Sequence, residues 1–434
     1  MTAALLLAAP GIVGSPAAGA EVPVPPAVFG HYQAFHVGSW PESATVGDFT
    51  GDGRNDVALS TSSYGEDPNN QKVILFVQQA SGSLVQQATY GTSGGYPDQM
   101  GLDAGDLNGD GRADLALATS QGVDVFLGGA GGLGAGHLVP TAAARHVEIA
   151  DLDGDGRADL VVAGANEAMT LRGQGDGTFT APVVVGSQWP EIEVADVTGD
   201  GRVDIVGGGS NSVAVTAQQP DGTFGAPTEY AASPPATGGN GIAVGDLNGD
   251  GRNDVALSIG GSRPESRINV FRQTAQGTLG APVVYPSWDT PEPVEVGDIN
   301  LDGRADLVVV HGGGLTWGNV GHYVQGSDGT LGQEWLERVP YATHYDAKGL
   351  DLGDVDGDRV SDIVYADYNN GLVVLRSGAS ARAWGLGNYG QVGDGTRAAR
   401  TTPIAPPGIG EVKDASAGGY HSLAVLADGT VTSW

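Results

Sequence analysis

One nine-residue pattern recurs seven times along the chain, and any fold must accommodate all seven copies. The first is Asp48-Phe-Thr-Gly-Asp-Gly-Arg-Asn-Asp56; the others run Asp106–Asp114, Asp151–Asp159, Asp196–Asp204, Asp246–Asp254, Asp298–Asp306 and Asp354–Asp362. Oxygen-bearing side chains fall at positions 1, 3, 5 and 9, and position 6 is Gly in six copies. A hard cation wants that inventory: carboxylate or amide oxygens, a backbone carbonyl near position 7, and a residue that tolerates φ > 0 where the chain turns. Magnesium demands stricter octahedral geometry and keeps more waters, so calcium suits the pattern better. The loops are not EF-hands, because position 12 of the first copy is Leu59 and each loop runs on into a strand-like segment. A single copy could be an acidic turn held by its own Asp and Asn side chains. Seven in register point to a repeated metal-ligating unit.

Composition agrees with a turn-rich all-β protein: 73 of 434 residues are Gly, 40% are hydrophobic and only 16% are charged. Twenty-three of the 51 acidic residues are Asp within the seven loops, so seven bound calcium ions would bring the formal charge from −31 to −17. The charge therefore reads mainly as metal ligation, and it argues against nucleic-acid partners, which need a basic face. Cys is absent, so no disulfide staples the fold and calcium is the expected cross-link.

Residues 1–20 read as an export signal, with an apolar run starting at Leu5 and the small residues Ala18-Gly-Ala20 before Glu21, although no Lys or Arg precedes the run. The mature protein is then expected to be secreted or on the cell surface. No later segment has the length of apolar sequence that a membrane span needs.

Successive loops are spaced 45 to 58 residues apart, the length of one four-stranded propeller blade. A first strand such as Ala44–Gly47 leads into the loop and a second leaves it at Val57–Ser60. A third follows at Val73–Gln78 or Ile268–Gln273, and a turn containing Asp221-Gly222 or Asp328-Gly329 leads to a fourth, for example Gly225–Tyr230. Weak alternation in the first two strands suits burial on both faces. After the seventh loop, Ile363–Ala366 and Gly371–Arg376 supply strands but a fourth is missing. Ala27–Phe35 carries Phe29-Gly30 where other repeats have Phe224-Gly225 and Leu279-Gly280, so the N-terminal segment is expected to complete the last blade. The fold class is all-β: a seven-bladed β-propeller of four-stranded blades over residues 21–378, closed by the N-terminal strand.

The loop pattern, followed by segments such as Gly222-Thr-Phe-Gly-Ala-Pro227, resembles the FG-GAP or VCBS-type repeat of integrin α-subunit propellers and many secreted bacterial proteins. The resemblance covers about Ala27 to Ser377. It implies that Asp48, Thr50, Asp52, the Arg54 carbonyl and Asp56 ligate calcium in the first blade. The second would use Asp106, Asn108, Asp110, Arg112 and Asp114, and the third Asp151, Asp153, Asp155, Arg157 and Asp159. Asp196, Thr198, Asp200, Arg202 and Asp204 would serve the fourth, and Asp246, Asn248, Asp250, Arg252 and Asp254 the fifth. Asp298, Asn300, Asp302, Arg304 and Asp306 would serve the sixth, and Asp354, Asp356, Asp358, Val360 and Asp362 the seventh, for up to seven Ca²⁺. Leu301 stands where a Gly is usual and Arg359 where the turn wants Gly. Asp153, with both glycines of its loop intact, predicts the tightest site in the third copy.

From Arg382 the character changes. Ala383-Trp-Gly-Leu-Gly-Asn-Tyr-Gly and Gly418-Gly-Tyr-His-Ser-Leu-Ala-Val425 resemble one repeat of the regulator of chromosome condensation family, which builds a different propeller. Residues 379–434 are thus an incomplete C-terminal β repeat, expected to belong to a longer array, since one repeat cannot bury its own core.

No HExxH spacing, GxSxG elbow, P-loop or reactive Cys is present, so no catalytic constellation is visible. The connections between one blade and the next carry Trp40, Tyr96, Trp189, Trp288 and Tyr345, and Trp317 lies in a Gly-rich loop on the same expected face. Beside carboxylates they make the stacking-plus-hydrogen-bond set that sugar rings favour; their bland role is packing between blades. The expected function is a calcium-binding module for a glycan or an extracellular protein. A scaffold within a larger multidomain protein and a polysaccharide lyase are the alternatives.

Overall fold

The computed structural model describes residues 4–7, 29–30, 32–93, 101–164, 166–187, 189–235, 239–312, 317–341, 349–377, 381–393, 396–404, 412–418, 421–426 and 430–434. The described residues are strands, turns and loops, and none of their segments is a helix long and apolar enough to cross a membrane. Each acid loop joins the first two strands of a four-stranded antiparallel sheet. In the first sheet the strands are Pro41–Gly47, Asp56–Thr61, Lys72–Gln78 and Leu84–Gly91. Five more are built the same way, through the sixth sheet at Pro291–Gly297, Asp306–His311, Gly318–Tyr323 and Trp335–Val339.

The seventh sheet takes Leu350–Gly353, Asp362–Asp367 and Gly371–Leu375 from one end of this region and Gln33–Phe35 from the other. Gln33 pairs with Val374 and Phe35 with Leu372. Just before that strand, Phe29 bridges Ser377 as Phe224 bridges Gln218 and Leu279 bridges Gln273. Gly30 N–H donates to Arg376 O at 2.8 Å, the bond that Gly280 makes to Arg272 O at 2.8 Å. The matching Phe-Gly and Leu-Gly dipeptides thus mark one conformation at equivalent places.

Second and third strands are buried along their length, as at Asp56–Thr61 and Arg267–Phe271, whereas fourth strands such as Leu84–Gly91 are mostly exposed. Burial on both faces explains why the second strands read as apolar runs without alternation. The fourth strand of the fourth sheet is Thr228–Ala231, shorter than the expected Gly225–Tyr230. Pro227 has no N–H to give a ladder, so regular pairing starts after it.

Every apolar cluster is assembled from two sheets. Leu59 and Phe76 of the first sheet pack with Val364 and Val374 of the seventh, while Leu75 of the first packs with Leu115 and Phe126 of the second. Polar bonds follow the same junctions. Asp351 Oδ2 accepts from Val46 N at 2.8 Å, Asp103 Oδ2 from Ile149 N at 2.7 Å, and Glu191 Oε2 from Ile242 N at 3.0 Å. The hairpin between third and fourth strands sits on the acid loop of the preceding sheet. A Cβ at Gly329, whose φ is +73°, would stand 2.2 Å from Asn248 O, and one at Gly82 would stand 2.4 Å from Asp356 O. Only glycine allows that approach with that backbone.

Beyond the seventh sheet lie two three-stranded sheets. One joins Ala381–Gly385 to Arg400–Ile404 and to Ala4–Leu7, which falls within the expected export signal; the other is Val412–Ala417, Ser422–Leu426 and Val431–Ser433.

Deleting residues 21–39 removes Gln33–Phe35 and leaves Gly371–Leu375 an unpaired edge. The truncated protein is expected to melt at lower temperature and to aggregate. Size-exclusion chromatography and thermal melting check this, and a stable monomer would contradict it.

Candidate functional site

The acid loops share one internal wiring. In the first, Asp48 Oδ1 accepts from Gly51 N at 2.7 Å and Asp52 N at 3.1 Å, and its Oδ2 accepts from Gly53 N at 2.8 Å. The position-1 carboxylate thus gathers the backbone donors that the tight turn leaves unpaired. Asp52 accepts from Arg54 N at 3.1 Å and is ion-paired with the Arg54 guanidinium. The same pair of positions is joined in five further loops, for example Arg112 to Asp110 at 2.9 Å. The seventh loop has Val360 at position 7 and lacks that internal cation.

Position 9 is buried in all seven copies. One carboxylate oxygen accepts N–H groups at positions 2 or 3 of its own loop, as Asp56 Oδ2 does from Thr50 N at 3.2 Å. The other accepts the N–H where the third strand ends: Gln78 to Asp56 at 3.0 Å, Gly128 to Asp114 at 2.6 Å, Gly173 to Asp159 at 2.7 Å. Gln218, Gln273, Gln325 and Ser377 do the same to Asp204, Asp254, Asp306 and Asp362. This clamp was not foreseen from the sequence, because each partner lies 14 to 22 residues downstream of its Asp. A polar residue at the same offset after every loop would have been the only signal.

Burial pushes the carboxyls of Asp56 and Asp254 up to about 6 and that of Asp306 up to about 7. Asp114 and Asp204 are raised by the same cause. Asp362 is raised well above the usual carboxylate range by burial and by the charge of Asp356, and Asp358 is pushed up to about 6. Carboxyls held above their ordinary range are those a bound cation would favour in the ionised form.

Two loops bring three carboxylates into one cluster: Asp151, Asp153 and Asp159, and Asp354, Asp356 and Asp362, with the ligand oxygens of each set within 4.8 Å of one another. In the seventh loop, Asp356 Oδ2 is buried with no hydrogen-bond partner. An all-oxygen donor set with a desolvated, unsatisfied acceptor fits a hard divalent cation. In the third loop, Arg172 Nη1 lies 2.7 Å from Asp159 and its Nε 3.8 Å from Asp153, so a countercharge is already present there. The two anomalous residues keep the loop's shape: Leu301 has φ 59° and Arg359 has φ 77°, the left-handed backbone that glycine adopts elsewhere.

The connections at the opposite strand ends carry the aromatics. Trp40 stacks on Tyr368 at 4.6 Å and leans on Tyr64 at 5.1 Å. Trp189 lies over Gly207, where a Cβ would meet its ring at 2.3 Å, and packs on the cluster between the third and fourth sheets. Trp288 is covered by the Arg263 guanidinium at 3.6 Å, and exposed Trp317 by that of Arg338 at 3.8 Å. Tyr96 and Tyr345 lie outside the described residues. Among the described residues no ring contact links any two of the four tryptophans, so they do not form one patch. Arg263 and Glu334, which hold the Trp288 connection, were missed from sequence.

With this geometry in view, comparison with known proteins is direct. The FG-GAP-like repeat matches residues 48–117, 106–162, 151–206, 196–257 and 298–365, more than half of the chain and all seven loops. The chain belongs to the family of FG-GAP-like repeat proteins. A regulator of chromosome condensation (RCC1) repeat matches residues 383–425 of this FG-GAP-like protein. The ultraviolet-B receptor UVR8 of Arabidopsis thaliana is 32% identical over 114 residues, which are 25% of this chain and 24% of that protein. The chain therefore spans about a quarter of the length of that relative. Among solved structures, BBS1N in complex with ARL6DN has a TM-score of 0.55 at 12% identity, covering 80% of this chain and 96% of that one. At that identity the likeness speaks for a shared propeller-like fold alone. An Agrocybe aegerita lectin specific for non-reducing terminal N-acetylglucosamine gives a TM-score of 0.47 at 20% identity, covering 79% of this chain and 91% of that one.

Two measurements follow from the loops. Replacing Arg359 or Leu301 with Gly removes a left-handed non-glycine residue and is expected to raise stability by about 1 kcal/mol in chelator; denaturant melts check this, and a loss of stability would contradict it. The raised position-9 carboxyls bind protons more tightly folded than unfolded, so the stability they contribute is present below their ordinary value of 3.8 and is lost as pH rises through about 6 to 7. In chelator, the melting temperature should fall between pH 5 and pH 7.5 by this mechanism, whereas a rise over that range would refute it.

Proposed function

We propose that the chain is a secreted, calcium-braced binding module. Its seven sheets are the blades of one closed propeller spanning residues 21–378, with Gln33–Phe35 as the closing strand. The face opposite the acid loops takes a glycan or an extracellular protein partner. The observation that carries the metal part is the seventh loop, where Asp354, Asp356 and Asp362 converge around an unsatisfied buried oxygen. The ring is supported by apolar clusters and carboxylate bonds that join successive sheets and also join the seventh to the first. In this reading residues 1–20 are removed on export and residues 379–434 are a partial repeat of a second propeller type.

When bound, calcium would supply positive charge to each crowded loop, and the chain's own carboxylates would do the rest. Position 1 orders the turn, position 9 ties it to the third strand, and positions 3 and 5 offer further oxygens. A cation that binds only the folded loop stabilises it by mass action. A match to an RCC1 repeat next to this region favours a second reading, a scaffold within a larger assembly.

Chelation is expected to lower the melting temperature, Ca²⁺ to restore it and Mg²⁺ to restore it poorly. The calcium-loaded protein, applied to an array of glycans and extracellular proteins, should bind a restricted set without turnover. Unchanged melting after chelation would sink the metal assignment, and an array with no bound ligand would leave the scaffold in its place.

A further inference from the structure

A cavity of about 280 Å³ opens between the fifth and sixth sheets. Tyr285, Pro286 and Trp288 give it apolar walls, and Arg263, Gln333 and Glu334 give it polar ones. Its floor is rigidly built. Glu334 accepts from Trp288 N at 2.7 Å, Ser287 Oγ at 3.1 Å and His311 Nε2 at 2.9 Å. His311 Nδ1 faces Asp289 O at 3.2 Å, so both ring nitrogens are held by oxygens of the floor. Gly321 leaves room for this pair: a Cβ there would stand 2.5 Å from Glu334 Oε1. Tyr323 O–H, also buried, donates to Pro286 O at 2.9 Å.

At the rim, Arg263 Nε lies 3.2 Å from Asp289 Oδ1, and the guanidinium carbon sits 3.6 Å above the Trp288 ring centre. That posture commits Nε and leaves the two Nη groups to act as a fork, the arrangement that takes a carboxylate in bidentate fashion. The carboxylates nearby are already matched, Glu334 by His311 and two further donors, Asp289 by Arg263. An incoming carboxylate therefore meets a guanidinium already fixed in place. The acid loops lie at the other ends of the strands, and their charge is screened over a Debye length of about 8 Å in physiological salt.

We propose that this cavity is the binding site for one acidic sugar residue, a hexuronate, whose carboxylate takes the Arg263 fork and whose apolar ring face lies against Tyr285 and Pro286. The volume suits a single pyranose, and rings beside a few oriented polar groups are what small-molecule sites offer. The inference rests on the binding-module reading above and gives it a ligand class and a place.

The test is calorimetric titration of the calcium-loaded full chain with a glucuronate-terminated oligosaccharide, its glucose-terminated counterpart and an acidic peptide of equal charge. The uronate should bind best, and R263Q should weaken it at least about tenfold, as the loss of one charge-assisted bidentate pair requires. R263K, which keeps the charge and loses the fork, should fall between. Arg263 is exposed, so the melting temperature of both variants should match the parent and exclude a folding defect. Uronate binding that survives R263Q, or a preference for the neutral sugar, overturns this site while leaving the module reading standing. Preference for the peptide overturns the ligand class, and binding of no glycan at all overturns both the site and the glycan reading beneath it.

Discussion

The structure depends on a buried carboxylate that bonds in two directions. At position 9 of every loop, an Asp with almost no exposure accepts from the loop it ends and from the exit of the next strand in its sheet. Burying that group costs several kcal/mol unless hydrogen bonds compensate, and the backbone donors on both sides are what make it tolerable. In four loops the position-7 arginine adds a second tie to the same place, as Arg54 Nε donates to Gln78 O at 3.1 Å and Arg304 Nε to Gln325 O at 3.0 Å. The next hairpin round the molecule rests on that loop through Gly82, Gly277 or Gly329, so a disturbance in one loop reaches the neighbouring sheet.

The same residues decide which loop oxygens a metal ion could use. Position 9 is satisfied by its loop and the third strand and in six copies is raised by burial; position 1 is satisfied by the turn. Positions 3 and 5 carry what remains. In six copies an arginine at position 7 offsets position 5, an exposed or half-exposed pair of the kind worth at most about 1 kcal/mol. The seventh copy has no such arginine and four aspartates, one with an orphaned oxygen. The third copy, which has as many aspartates, has Arg172 among them. Counting carboxylates along the sequence ranks the third loop first; in the structure Arg172 pairs with Asp159 of that loop, and the Arg376 charge acts on Asp358 of the seventh.

Much of this was legible in the sequence because the information is local and repeated. The period, the acid loops, the strands on either side of them and the Phe29-Gly30 match all rest on residues close together in the chain. What was not legible depends on partners brought together from afar. Thr228 starts a strand where Gly225 was expected to, because Pro227 interrupts the ladder. Glu334 reads as an ordinary surface acid in the sequence, yet it occupies the place that Pro227 and Pro282 hold in neighbouring sheets and is folded inward over Gly321. Proline holds that place in the third, fourth and fifth sheets, while Gln87 and Tyr32 stand there in the first and seventh; in the sixth the departure coincides with the cavity.

That coincidence bears on how such a fold divides its work. The loop side of the sheets is held to one geometry by seven near-identical motifs, since any change there disturbs the clamp, the neighbouring hairpin and the ligand set together. The opposite side has no shared motif: Trp40 lies in an aromatic stack, Trp189 in packing, Trp288 under an arginine beside a cavity, and Trp317 on the surface. Connections on that side are constrained only by the strands they join, so each can acquire its own chemistry without altering the frame. On the proposed binding role, specificity belongs to single junctions between sheets. The fifth–sixth junction is the one where guanidinium, indole and buried carboxylate are fixed relative to one another before any ligand arrives, which lowers the ordering cost of binding there.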